Sequence, residues 1–157
     1  MLLIAIDPGI SGAVCVMDGD TFEVFDTPTK GGQYDLPGMA AILRGRKGTV
    51  LLESVHALPK QGVVSTFNFG RGVGLWEGIC AAESLRLVKV TPQKWKAKYP
   101  ALRGLDRKTA KAKAREIARC LFPQHADKFA RAKDDGRAEA LLMALYLRDL
   151  VSDAEAA

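Results

Sequence analysis

Four carboxylates in this 157-residue chain stand where chemistry is a more natural use than solvation. Asp7 closes the apolar run LLIAID and is followed by Pro8-Gly9, so it ends a buried strand at a tight turn. Glu53 closes TVLLE in the same manner. Asp135 and Glu139 lie four apart in KDDGRAEALLMALY, at the start of an apolar helix. At that spacing two side chains are about 40° apart around the axis and about 6 Å apart along it, so both can face one point. An acid ending a buried strand needs a partner to offset its desolvation. Four gathered together repel at neutral pH unless they share protons or cations. Hard divalent cations held by carboxylate oxygens relieve that repulsion. Two of them about 4 Å apart can activate a water and stabilise the leaving oxygen of a phosphodiester. The same residue types also have plain structural uses. Asp7 can cap a turn, Asp135 can be an N-cap, and Glu139 can face the helix dipole. Asp134, Asp18, Asp20 and Asp26 read as acids of that plainer kind.

Two segments suit a phosphate backbone. KQGVVSTFNFGRG, from Lys60 to Gly72, combines glycines that allow close approach with Lys60 and Arg71 for phosphates. Its Phe67 and Phe69 can stack on bases or pack under the chain. KTAKAKAREIARCLFP has an apolar stripe of Ala110, Ala114, Ile117, Ala118 and Leu121, and it presents Lys108, Lys111, Arg115 and Arg119 on other faces. Lys and Arg clearly outnumber Asp and Glu between Lys89 and Arg137, while the first 88 residues carry no such excess. A one-sided surplus of this kind suits a polyanionic partner. Trp76 and Trp95 sit in helical context and read as core. His56 and His125 have no second histidine or triad arrangement to suggest more than an ordinary role.

The elements that must position these residues follow from hydrophobic periodicity and turn signals. Strands are expected at Leu2–Asp7, Ala13–Met17, Thr21–Asp26, Thr49–Glu53 and Leu87–Val90, the first three as an antiparallel meander through Asp18-Gly19-Asp20. Helices are expected at Met39–Leu43, Gly74–Leu85, Pro92–Tyr99, Lys108–Phe122 and Ala138–Val151, with a loop from Ser54 to Arg71. The stripe of Leu75, Ile79 and Ala82, with Trp76, exceeds what one side of the Gly74–Leu85 helix needs, and it marks a candidate interface. The whole is an α/β domain over residues 1–151, a mixed five-stranded sheet flanked by helices, with a flexible tail at 152–157.

Composition narrows the class. A hydrophobic fraction of 48% and a charged fraction of 26% are those of a folded globular chain rather than a disordered one. Cys15, Cys80 and Cys120 are isolated and form no CxxC pair, which argues against a zinc ribbon or disulfide framework and for buried thiols. No apolar run approaches the roughly 20 residues of a membrane span, and MLLIAID begins without a basic leader. A cytoplasmic setting, in a bacterium or a phage-infected cell, and no membrane partner are the expectations.

Taken together, IAIDPGISGAVCV, LLESV, KQGVVSTFNFGRGVGLWEGI, VTPQKWK, KAKAREIARCLFP and KDDGRAEALLMALY resemble the RuvC-like Holliday junction resolvases, collinearly from Met1 to about Leu147. The subgroup most resembled is that of bacteriophages and of the plant chloroplast resolvase, which shares the DGRAEALL arrangement. Bacterial RuvC spaces its last two acids three apart, whereas here they are four apart and the second is Glu139. The resemblance implies a ribonuclease H-like fold and a structure-specific DNA endonuclease. It makes Asp7, Glu53, Asp135 and Glu139 the ligands of two Mg²⁺ or Mn²⁺ ions. It places Lys111 near the scissile phosphate and Ser65 to Phe67 at the junction centre, and the basic residues Lys60, Arg71, Lys108 and Arg115 are then the expected phosphate contacts along branched DNA. It further implies a homodimer that makes paired nicks with 5′-phosphate and 3′-hydroxyl ends. A sugar-kinase-like phosphotransferase would need a second domain for which the chain has no room. An RNA-processing nuclease of the same fold, or a silent junction binder, remain the alternatives.

Overall fold

The computed structural model describes residues 1–54 and 62–156. Lys60 and His56 lie outside the described residues.

Strands β1 (Leu2–Asp7), β2 (Ala13–Asp18) and β3 (Thr21–Asp26) form the expected antiparallel meander. A small hairpin that the sequence did not announce follows, β4 (Thr29–Lys30) with β5 (Gln33–Tyr34), and then helix α1 (Leu36–Leu43). Strand β6 (Gly48–Glu53) pairs parallel to β1. Helix α2 (Val63–Ala82) crosses over to β7 (Arg86–Val90), which pairs parallel to β6. The main sheet therefore runs β3-β2-β1-β6-β7. Beyond it come α3 (Pro92–Lys96), α4 (Arg107–Leu121) and α5 (Asp135–Ala156), joined by 3₁₀ turns at Pro100–Leu102, Pro123–Phe129 and Ala132–Asp134. Asp106 caps α4, its carboxylate accepting from the backbone N–H groups of Lys108 and Thr109. α5 continues to Ala156, so the stretch after Val151 expected as a flexible tail is helical, although its last residues are exposed.

Both faces of the sheet are covered, which is why its central strands read as continuous apolar runs. Strand alternation divides the core in two. Leu3, Ala5, Cys15 and Leu51 pack with α4 and α5, whereas Ile4, Ile6, Val50 and Leu52 pack with α1 and α2. Cys15 and Cys80 are buried as expected, but Cys120 is exposed. Trp76 and Trp95 are both core residues, fully buried. Among the described residues no helix is long and apolar enough to cross a membrane.

The largest departure is α2, which begins at Val63 within the expected loop. Its glycines lower intrinsic helix propensity and so disguise it. At Gly72 the glycine is required, because a Cβ there would lie 2.4 Å from the Pro8 carbonyl oxygen and 2.3 Å from the Tyr34 hydroxyl. Gly72, Trp76 and Cys80, spaced by four, form the buried stripe, with Leu75 and Ile79 half-buried at its edge. Of the expected interface stripe, Leu75, Trp76 and Ile79 are thus used against the sheet, and Ala82 is exposed. The opposite face of α2, carrying Val63, Phe67, Gly70, Gly74, Gly78 and Ala81, is exposed.

Candidate active site

Parallel pairing of β1 with β6 sets Ile6 opposite Leu52, so Asp7 and Glu53 follow one step further at the same sheet end. Alternation gives both acids the face shared by Ala5 and Leu51, the side on which α5 packs. The N-terminus of α5 reaches that point because Gly136 has no side chain. A Cβ there would lie 2.6 Å from the Ser11 carbonyl oxygen and 3.1 Å from the Gly12 Cα. Arg137 ties the same helix turn to the end of β3 through two bonds to Asp26, at 2.6 and 2.7 Å.

Electrostatics register the convergence. Burial, and then the negative charges of Glu53 and Glu139, push the Asp7 carboxyl up to about 7, against the opposing pull of the Gly9 N–H and Lys111. The Gly9 N–H donates to Asp7 Oδ1 at 3.3 Å. Glu53 is raised for the same reasons, burial first and Glu139 second, while a bond from Trp95 and the charge of Lys96 work the other way. Trp95 Nε1 donates to Glu53 Oε1 at 2.8 Å.

Two ammonium groups occupy the remaining acids. Lys111 Nζ donates to Asp135 Oδ2, and Lys96 Nζ lies 3.0 Å from Glu139 Oε1. With the side chains turned this way, no three His, Cys, Asp or Glu among the described residues stand close enough to hold a metal ion. The neighbouring Asp134 is engaged elsewhere. It is buried and accepts from Arg131 N, Nε and Nη2 at 2.8, 3.0 and 2.7 Å. Burial raises its carboxyl, but those donors outweigh burial and hold it below the ordinary range. Of the two adjacent acids, Asp135 pairs with Lys111, whose charge also acts on Asp7, and Asp134 pairs with Arg131 in the turn before α5.

The candidate DNA residues are spread more widely. Ser65 and Phe67 are exposed on the first turns of α2. Phe67 is 70% exposed and Phe69 is half-buried, so the two phenylalanines part company. Arg71 Nη1 donates to Gln33 Oε1 at 3.0 Å and its guanidinium lies 6.0 Å from the Tyr34 ring. The Tyr34 hydroxyl in turn is 3.3 Å from the Pro8 carbonyl oxygen and 3.2 Å from that of Asn68, joining α2 to the turn after Asp7. Lys108 is exposed at the start of α4. Arg115 lines a cleft with Leu105, Lys113 and Arg119. Lys96 and Trp95 were missed as site residues. The signal lay in VTPQKWK, where a lysine adjoins a tryptophan on a helix five residues long.

No protein-family model matches the sequence, and no curated protein matches it either. Solved structures do. Thermus thermophilus RuvC in complex with a Holliday junction substrate aligns with a TM-score of 0.59 at 17% identity, over 93% of this chain and 92% of that one. The chain has the RuvC fold. A second T. thermophilus RuvC structure gives 0.55 at 19% identity, over 94% and 96%. The ribonuclease H-like architecture expected from the sequence is therefore the one adopted. At these identities the likeness is one of fold, and the chemistry rests on the side chains already described.

Proposed function

We propose that this chain is a Holliday junction resolvase that cuts four-way DNA junctions with divalent metal ions. The observation that carries the reading is the convergence of Asp7, Glu53 and Glu139 from β1, β6 and α5 on one point, where burial first, and then the charges of Glu53 and Glu139, raise Asp7 to about 7. A site of oxygen donors with excess negative charge suits hard cations, and the lysines on Asp135 and Glu139 already answer its demand for positive charge. Asp7, Glu53, Asp135 and Glu139 would hold Mg²⁺ or Mn²⁺, two ions per site. When bound, such ions supply an activated water and neutralise charge on the phosphate.

The protein's own groups divide the remaining work. Lys111, released from Asp135, places a cation on the scissile phosphate. Ser65, Phe67 and the exposed start of α2 meet the branch point, and Arg71 meets the backbone beside it. Lys60, Lys108 and Arg115 neutralise phosphates farther along the arms. Paired cuts in a junction of two-fold symmetry require two such sites related by the same symmetry. The exposed face farther along α2, carrying Gly74, Gly78 and Ala81, is our candidate for the dimer contact. The arrangement around Asp135 and Glu139 supports the phage and chloroplast-like subgroup, and the setting we propose is the cytoplasm of a bacterium or phage-infected cell.

The test is incubation with a synthetic four-way junction, a plain duplex and an RNA/DNA hybrid, each with and without Mg²⁺. Paired, Mg²⁺-dependent nicks in the junction alone are expected. Preferential cleavage of the hybrid would transfer the protein to the RNA nucleases, and tight junction binding without cleavage would make it a binder.

A further inference from the structure

Trp95 has a use beyond filling the core. The chain contains two tryptophans, Trp76 and Trp95, both fully buried. Among the described residues the Trp76 indole N–H has no hydrogen-bond partner, so there the ring serves by volume. The Trp95 N–H points at a carboxylate, Glu53 Oε1, at 2.8 Å. Its ring is held from the other side as well. Tyr99 meets it edge-on with centroids 6.2 Å apart, and the Tyr99 hydroxyl donates to the Leu142 carbonyl oxygen at 2.7 Å. Lys98 adds a bond to the Leu145 carbonyl oxygen at 3.2 Å. Leu142 and Leu145 belong to α5, the helix that carries Asp135 and Glu139. Trp95 is thus braced against one helix of acids while it grips the acid of β6.

Resting on the metal-dependent reading above, we propose that Trp95 is the positioning residue that fixes the Glu53 carboxylate for metal, engaging Oε1 and leaving Oε2 as the free ligand oxygen. Glutamate has three side-chain torsions, and a carboxylate free to turn loses affinity each time it must be ordered. A donor in the surrounding shell removes that cost, and losing such a donor typically weakens metal binding about 10- to 100-fold. Phenylalanine would fill most of the same space. The N–H is what the site uses.

The experiment compares the wild type, Trp95→Phe and Trp76→Phe in Mn²⁺ binding without DNA, read by the electron paramagnetic resonance of free Mn²⁺. Trp95→Phe should bind about tenfold or more weakly, and Trp76→Phe should match the wild type. Equal affinity in all three proteins, or equal losses in both variants, would reduce Trp95 to packing. Should Trp95→Phe fail to fold, the wild type still decides. With ¹⁵N-labelled indoles, Mg²⁺ titration should move the Trp95 N–H resonance and leave that of Trp76 in place. Two unmoved resonances would overturn the proposal. Wild-type protein that binds Mn²⁺ yet leaves a junction uncut would defeat the resolvase reading, while the Mn²⁺ comparison would still decide Trp95.

Discussion

Asp7 is held in a place that disfavours its charge, and this has a consequence for stability. Its folded value near 7 lies above the ordinary 3.8, so the folded state binds more protons than the unfolded chain between those limits. Stability of the metal-free protein should therefore fall as pH rises through that window, by up to about 1.4 kcal/mol per pH unit for one proton. Asp7→Asn, neutral at every pH, should match the wild type near pH 4 and exceed it at pH 8. Urea unfolding in chelator at the two pH values checks this, and equal gains at both would show that charge is not the cause. The same variant should lose junction cleavage by orders of magnitude, because it removes a ligand charge with little change of shape. Lys111 offers a second separation. If it stabilises charge on the scissile phosphate, Lys111→Ala should lower the saturating single-turnover rate on the order of 10²-fold with little change in affinity. Lys108 is exposed and Lys113 is paired with Glu116 at 2.9 Å, so their alanine variants should affect binding and its salt slope or nothing. Equal rate losses at all three positions would indicate a diffuse field rather than one placed cation.

At the scale of elements, glycines decide how closely helices may approach the site. Gly136 lets the N-terminus of α5 rest on Ser11 and Gly12. Gly136→Ala must push the helix away, at a cost of about 1–3 kcal/mol, and it carries Asp135 and Glu139 with it. Cleavage should fall well beyond what the lost stability explains, as thermal melts beside single-turnover rates would reveal. Gly74 makes the opposite case. Nothing lies within 4 Å of a Cβ built there, so Gly74→Ala should stabilise the monomer by up to about 1 kcal/mol through helix propensity. If this face packs against a second copy, the same change should weaken association. Sedimentation of Gly74→Ala at micromolar concentrations tests the point, and unaltered self-association would move the dimer contact off α2.

For the whole molecule, metal-dependent cleavage and DNA binding are separable. In excess chelator junction cleavage should vanish while binding persists, because phosphate contacts by Lys and Arg do not need the ions. Undiminished cleavage there would end the divalent-metal account. The strands were legible in the sequence because apolar runs bounded by turn residues are local signals. Asp7 and Glu53 stood out for the same reason, each closing such a run. The approach of Asp135 and Glu139 could be inferred once the topology was assumed. What no local signal carried was α2's true start at Val63, hidden by its glycines, and the side of that helix which faces the sheet. Helical periodicity reports that an apolar face exists, and only packing against Pro8 and Tyr34 selects Gly72, Trp76 and Cys80 as that face. The partners of the acids were likewise settled in three dimensions. Lys96 reaches Glu139 from 43 positions away and Trp95 reaches Glu53 from 42, distances at which spacing along a chain says nothing about contact. The sequence by itself determined which residue types could do chemistry and which strands would end in them. Tertiary structure decided which of them meet, because electrostatic and hydrogen-bonding partners are chosen by proximity in space.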